Sequence, residues 1–478
     1  MLPSTATRER VHNGLTQRGE QPAGNWQVLR NHHRFRTFFC GSVISDLGTW
    51  MQNTAQVLLA YQIAHHSVLM VGLVACAQFS SPLVLSPLAG VATDRFGGRR
   101  TLLVTQVVAA MVAGGLGYLE LTGSLNGWWL GTGALLSGIC FTFALPARNV
   151  TVRRLIHDEG ELQPAFAMDS VSYNLGRAIA PLMGILLVPW VGYASAFFGN
   201  AASFIVFTMI LWASGRNASA EPERRSRITD GFQIAKDDHM IMALLLMVAA
   251  VTVADDPVLV LGPALTSRMH VATSYSGWFI AALGVGCVLG ALLPSRGLPS
   301  LQGAAIALAS LGGCMIVFVV TPWFWVSVAA ALGAGVSCLV ANSATRALLS
   351  QAAGPDRVAA VMAVWAIAWA GSKPFASLAD GLLAGWVGVG RTGIILAIPA
   401  LIPLAVLVLM PELERKLTSY HPLLVRPPGV PEARPAAATI GQAVIGPEAP
   451  AAGAPAGLRP TLRQSGPQSV LVLSEGVG

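Results

Sequence analysis

The residues able to do chemistry in this chain are ionisable side chains stranded inside long apolar runs. Asp46 stands in SVISDLGTWMQNTAQVLLAY, Arg177 in NLGRAIAPLMGILL, the pair Asp255-Asp256 directly before Pro257, and Lys373 and Asp380 in SKPFASLADGLL. A charge at the centre of a bilayer costs about 2.5–3.5 kcal/mol on insertion scales, so such residues face a partner or a water-filled cavity. The chemistry open to them is proton exchange and the recognition of charged groups. Asp46 heads a polar stripe with Gly48, Gln52, Asn53 and Gln56 at helical spacing. That stripe is either a proton or substrate site or a hydrogen-bonded packing seam between helices. Arg177 follows Asp169 by two turns; it can select an anionic group of a substrate, pair with Asp46, or serve in a structural ion pair. Asp255 and Asp256 are candidates for protonation during turnover or for an outer vestibule that attracts cations, or they mark no more than an exposed kink at the helix's outer end. Lys373 and Asp380, two turns apart, are expected to pair with each other. Trp365 and Trp369 share a helix face and could line an aromatic cavity wall or face lipid or core.

Other chemistries lack their residues. The chain has no GxxxxGK[ST] loop for a nucleotide, so ATP-driven transport by this chain alone is excluded. It has no GxSxG, no HExxH and no Cys/His cluster, and no constellation that reads as an enzyme. The six cysteines (Cys40, Cys76, Cys140, Cys287, Cys314 and Cys338) all fall in apolar runs with no CxxC, which suits packed thiols better than disulfides or a metal. No cofactor is expected.

The elements that must position these residues follow from composition. Only 11% of the 478 residues are charged and 54% are hydrophobic, against roughly 25% charged in soluble domains. The mean hydropathy is +0.60. The formal charge of +7 is then a topological signal and not a nucleic-acid footprint. Twelve apolar segments, each long enough to span about 30 Å of hydrocarbon, are expected near 36–64, 68–92, 101–121, 127–147, 168–189, 193–213, 239–267, 275–294, 301–321, 323–345, 358–385 and 391–410. They form two bundles, 35–213 and 239–410, separated by a polar midpoint linker, 214–238. Residues 1–34 read as a disordered arm without a cleaved signal peptide, and 411–478 as a disordered Ala/Pro/Gly-rich tail.

One loop orients the chain. GVATDRFGGRRTLL packs Asp94, Arg95, Arg99 and Arg100 between two apolar runs, with Gly90, Gly97 and Gly98 allowing tight turning and close approach. Loops after even-numbered segments hold most of the arginines, among them Arg153, Arg154, Arg216, Arg224, Arg225, Arg227, Arg296, Arg346 and Arg357; those after odd-numbered segments offer Arg268 and Arg391. The positive-inside rule makes the first set cytoplasmic, with both termini and the linker. Trp128, Trp129, Trp190, Trp323 and Trp386 mark the opposite interface. A faint repeat relates the halves: Arg153 matches Arg346 and Pro181 matches Pro374 at one offset.

In that layout the loop Gly90, Asp94, Arg95, Gly97, Arg99, Arg100 resembles the major facilitator superfamily, over about residues 35–410, with Gly98 where members commonly carry another basic residue. Gly176, Pro181 and Gly184 in the fifth segment resemble the antiporters' helix-bending motif, with Ala180 and Ile185 replacing two of its glycines. SDLGTWMQNTAQVLLAYQI, PARN and DSVSYNLGRAIAP look like the enterobactin-exporter-like branch of bacterial effluxers. The resemblance implies an all-α membrane protein of twelve transmembrane helices in two pseudo-symmetric six-helix bundles. It also implies alternating access and export of an amphiphilic small molecule (drug, siderophore or peptide-like metabolite) in exchange for protons, from the cytoplasmic membrane, by a monomer. The loop would be a gate, with Asp94 facing the start of the eleventh helix near Gly354-Pro355-Asp356. The drug exporters' arginine in the fourth helix has no counterpart in 127–147, which holds no charge. Rival readings are uptake or lipid flipping without proton exchange, and a non-transporting sensor or scaffold.

Overall fold

In hydrocarbon every backbone N–H and C=O needs a partner within its own segment, so long apolar runs close into helices. The computed structural model shows this throughout the residues it describes, 25–156, 158–213, 228–293 and 300–410. The long helices are α1 (His33–Ile63), α2 (Val68–Phe96), α3 (Gly98–Leu121), α4 (Gly127–Leu155), α5 (Glu159–Val191), α6 (Ala194–Ala213), α7 (His239–Asp255), α8 (Ser276–Leu292), α9 (Leu301–Val320), α10 (Phe324–Gly354), α11 (355–387) and α12 (Val389–Leu409). α10 and α11 run on from one another through a break at Gly354, whose φ of 70° only glycine adopts readily. Among the described residues, ten helical spans are long and apolar enough to cross a membrane. Outside that set stand α1, which carries Arg34, Arg36 and Asp46, and α11, which carries Arg357, Lys373 and Asp380. The tail, the linker through 227, the arm before 25, and Arg216, Arg224, Arg225, Arg227 and Arg296 lie outside the described residues.

Boundaries differ from the sequence expectation in places that matter. Residues 25–31 form a short helix and α1 begins at His33, so helix enters the stretch read as a disordered arm. The linker's end is helical over Ile228–Asp237. The segment expected at 239–267 is broken: α7 ends at Asp255, one turn follows at Pro257–Val260, and a third piece covers Gly262–Arg268. Pro257 and Pro263 each lack the N–H that would continue the ladder. α4 does not stop at 147 but continues to Leu155, which brings Arg148 inside the helix.

The helices pack in a repeated pattern. In the first half α1 lies on α5 and α6, α2 on α4, and α3 on α4 and α6; in the second, α7 lies on α11 and α12, α8 on α10, and α9 on α10 and α12. Two seams join the halves, α2 against α11 and α5 against α8. The matched arginines behave alike. Arg153 of α4 lies over the Phe166 ring of α5, and Arg346 of α10 over the Trp365 ring of α11. Trp128, Trp190, Trp323 and Trp386 are all largely exposed at helix ends opposite the basic loops, as interfacial anchors would be.

Candidate functional site

The first cluster is built from α1, α4 and α5. Gly176 makes it possible: a Cβ there would lie 2.8 Å from the Asp46 carbonyl oxygen, so glycine lets α5 approach α1 directly. Arg148 of α4 then reaches across. Its Nη1 and Nη2 donate to Asp46 Oδ1 and Oδ2 at 3.0 and 2.9 Å, and its Nε donates to Asp169 Oδ1 at 2.6 Å. Ser172 Oγ donates to Asp46 Oδ2 at 2.5 Å. Asp46 is buried, so this bidentate fork and hydroxyl are what make a carboxylate tolerable there.

Arg148 corrects two expectations. α4 does carry an internal arginine, and the partner of Asp46 is Arg148 and not Arg177. The segment count stopped one residue short of Arg148, although the PARN phrase contains it.

The rest of the polar stripe is divided among neighbours. Gln52 accepts from Asn200 Nδ2 of α6 at 2.8 Å and donates to Gln56 at 3.3 Å, while Asn53 accepts from Gln78 of α2 at 2.9 Å. Gln52 and Asn53 are thus engaged in holding α1 to α6 and α2.

The second cluster joins the halves. Arg177 of α5 donates from Nη2 to Asp255 Oδ2 at 3.2 Å, and its guanidinium lies 5.3 Å from the Trp50 ring centroid. Lys373 of α11 does not pair with Asp380; its Nζ lies 3.3 Å from Asp256 Oδ1 and 3.9 Å from Asp255 Oδ1. It also sits 5.2 Å from the Phe79 ring of α2. Ser377 Oγ donates to Asp256 Oδ2 at 2.5 Å. Asp255 and Asp256 are consecutive on a helical path, Asp256 keeping φ −64° and ψ −37°, so their side chains leave about 100° apart and only Asp255 reaches α5. Asp380 is fully buried with no donor to either oxygen.

Two tryptophans of α11 lie between this cluster and the basic loops. Trp369 and Trp365 follow Lys373 at one-turn intervals, their rings parallel within 4° at 6.1 Å between centroids, with Arg346 4.9 Å from the Trp365 centroid.

In the orienting loop, Gly97 has φ 82° between α2 and α3. Arg99 donates to the carbonyls of Leu211 and Trp212, both at 2.9 Å, capping the end of α6 where a cation complements the helix dipole. Arg95 lies over the Phe96 ring, and Gly90 is buried. Gly98 has a packing cause: a Cβ would stand 2.8 Å from the Ala147 carbonyl and 3.0 Å from Val150. The side chains of Pro355 and Asp356, the gate's expected counterpart, lie outside the described residues. In the fifth-helix motif α5 is continuous through Pro181, and Gly184 meets nothing within 4 Å of a Cβ position.

A profile of transmembrane secretion effectors, one of the major facilitator families, matches residues 23–428. The chain belongs to that family. This major facilitator transporter is 24% identical over 281 residues to an uncharacterised MFS-type transporter of Bacillus subtilis, covering 56% of this chain and 65% of that one. It is 26% identical over 310 residues to an enterobactin exporter of Escherichia coli, covering 61% and 71%. Among solved structures, a bacterial homologue of the human lysosomal transporter Spinster, inward-facing and unoccupied, superposes with a TM-score of 0.60 at 14% identity, over 83% of this chain and 99% of that chain. A nucleoside transporter superposes with a TM-score of 0.65 at 10% identity, over 79% and 99%. These last two show the fold alone.

Proposed function

We propose that this chain exports an amphiphilic small molecule from the bacterial cytoplasm by alternating access, in exchange for protons. α1 to α12 would each cross the membrane, as two six-helix bundles related by the repeated packing pattern, with the basic loops and both termini cytoplasmic. The observation that carries this reading is the buried ionic network of Arg177, Asp255, Lys373 and Asp256. It ties α5 of one half to α7 and α11 of the other. An ion pair across a moving seam changes its energy with the state of the seam, so protonating one acid biases the equilibrium between states. The enterobactin exporters among the relatives support export as the direction. Trp365 and Trp369, with Arg346 at the mouth and Lys373 at depth, offer stacking and charge to an amphiphile entering from the cytoplasm. The loop holding Asp94 would act as the cytoplasmic gate against the start of α11, where a carboxylate gains from the helix dipole.

Energised inverted vesicles carrying the full chain, screened against a panel of fluorescent amphiphiles, test this. Uptake that collapses with a protonophore is expected; uptake indifferent to it ends the antiport reading.

A further inference from the structure

Asp256 and Asp380 are both completely buried. Asp380 lies one turn beyond Ser377 and two beyond Lys373 on α11, so the three share a stripe aimed at the break in α7. Ser377 and Lys373 both serve Asp256. Neither oxygen of Asp380 has a donor; its carboxyl lies against that of Asp256, whose Oδ1 also lacks an aligned hydrogen bond. Two carboxyl groups in contact can hydrogen-bond only when one carries a proton. A dry carboxylate without donors neutralises before it pays the cost of burial. The charge count agrees: Arg177 and Lys373 face Asp255, Asp256 and Asp380, so one proton makes the cluster neutral. The other titratable groups turned toward it are Cys76 of α2, Tyr173 of α5, Cys287 of α8 and Cys338 of α10, and none adds a carboxylate.

The same place is sealed by the opposite half. Gly72 of α2 packs directly on the carbonyl of Ser377, with no room for a Cβ. Gly381, next to Asp380, has its own Cβ position 3.0 Å from Leu69 and 3.4 Å from Gly72. The lid over the acids is therefore α2, at the end of the bundle opposite the basic loops.

We propose that Asp256 and Asp380 form a proton-binding dyad that holds one proton while α2 is seated on α11 and exchanges it when they part. This rests on the antiport reading and names its proton site. The step is a simple transfer: the carboxyl O–H breaks, the proton passes to water admitted between α2 and α11, and the carboxylate left behind draws Lys373 away from Asp255. That leaves Asp255 to Arg177 alone.

Infrared difference spectroscopy on the full chain in lipid nanodiscs at neutral pH tests the site without any transported compound. Asp380→Asn is expected to remove one protonated-carboxyl C=O band, Ser377→Ala to shift it, and Asp46→Asn to leave it in place. In deuterated water the band should shift slowly in the wild type and several-fold faster in Gly72→Val, which props the lid. An Asp380→Asn spectrum identical to wild type in folded protein, checked by thermal unfolding, overturns the dyad while the vesicle assay still judges antiport. A protonophore-insensitive wild type overturns antiport, and the band then decides the dyad alone.

Discussion

Arg148 grips Asp46 with both terminal nitrogens and Asp169 with Nε, so one side chain fastens α4 to α1 and α5. The fork geometry matters more than the charge. Removing one member of a buried pair leaves the other uncompensated, at about 3–5 kcal/mol. Arg148→Ala should therefore lose most folded protein in detergent. Arg148→Lys, a point charge without the fork, should fold with a lowered Tm and reduced transport. Asp46→Asn should retain the fold and lose much of its activity. Full transport by Asp46→Asn at every pH would remove Asp46 from the coupling scheme.

Arg177 and Asp255 join the halves by a single hydrogen bond of 3.2 Å, while Lys373, from the same half as Asp255, lies 3.9 Å from its other oxygen. Arg177→Gln should weaken the closed seam and raise the population of the state open opposite the basic loops. Ile185→Cys reports on this, because Ile185 of α5 packs on Gly277 of α8 across the second seam. In a background without the native cysteines, its labelling by an impermeant maleimide should rise several-fold with Arg177→Gln. An unchanged rate means the pair does not hold the seam.

How much of this was legible in the sequence depends on whether a feature is local. Helices, their polarity and the orienting loop follow from hydropathy and charge along the chain, and Arg177, Asp255, Asp256 and Asp380 were marked by being ionisable where water is scarce. Arg148 was hidden because a count of apolar residues ends where an arginine begins, whereas a helix ends only where its backbone is broken or its packing stops. The pairing was not legible either. Lys373 meets Asp256 of α7 and not Asp380 because α11 packs against α7 at this level, a tertiary fact. For Gln52 and Asn53 spacing alone leaves a substrate site and a packing seam both open, and which neighbour each meets is set by helix crossing.

Gly72 and Gly176 separate the seam between halves from packing within one half. A side chain at Gly72 would enter the Ser377 carbonyl across the seam between halves, whereas one at Gly176 would enter the Asp46 carbonyl within the first half. Gly72→Val should speed labelling of Ile185→Cys with a small loss of Tm. Gly176→Val should lower Tm by overpacking, about 1–3 kcal/mol, without speeding labelling. Equal labelling in the two variants would mean that α2 and α11 do not separate.

Gly98 offers a test of why this loop departs from the basic pattern its family position suggests. A Cβ there would stand 2.8 Å from the Ala147 carbonyl and 3.0 Å from the Val150 side chain, both on α4. The neighbouring residue is Arg148, so pushing α4 away at this point also strains the fork on Asp46. Gly98→Arg should therefore lower Tm and transport together, despite adding a cation on the basic side where topology favours one. Gly98→Ala, which adds the Cβ alone, should show most of the same loss. If Gly98→Arg were neutral or stabilising while Gly98→Ala was also neutral, the contact with α4 would not be what keeps glycine here.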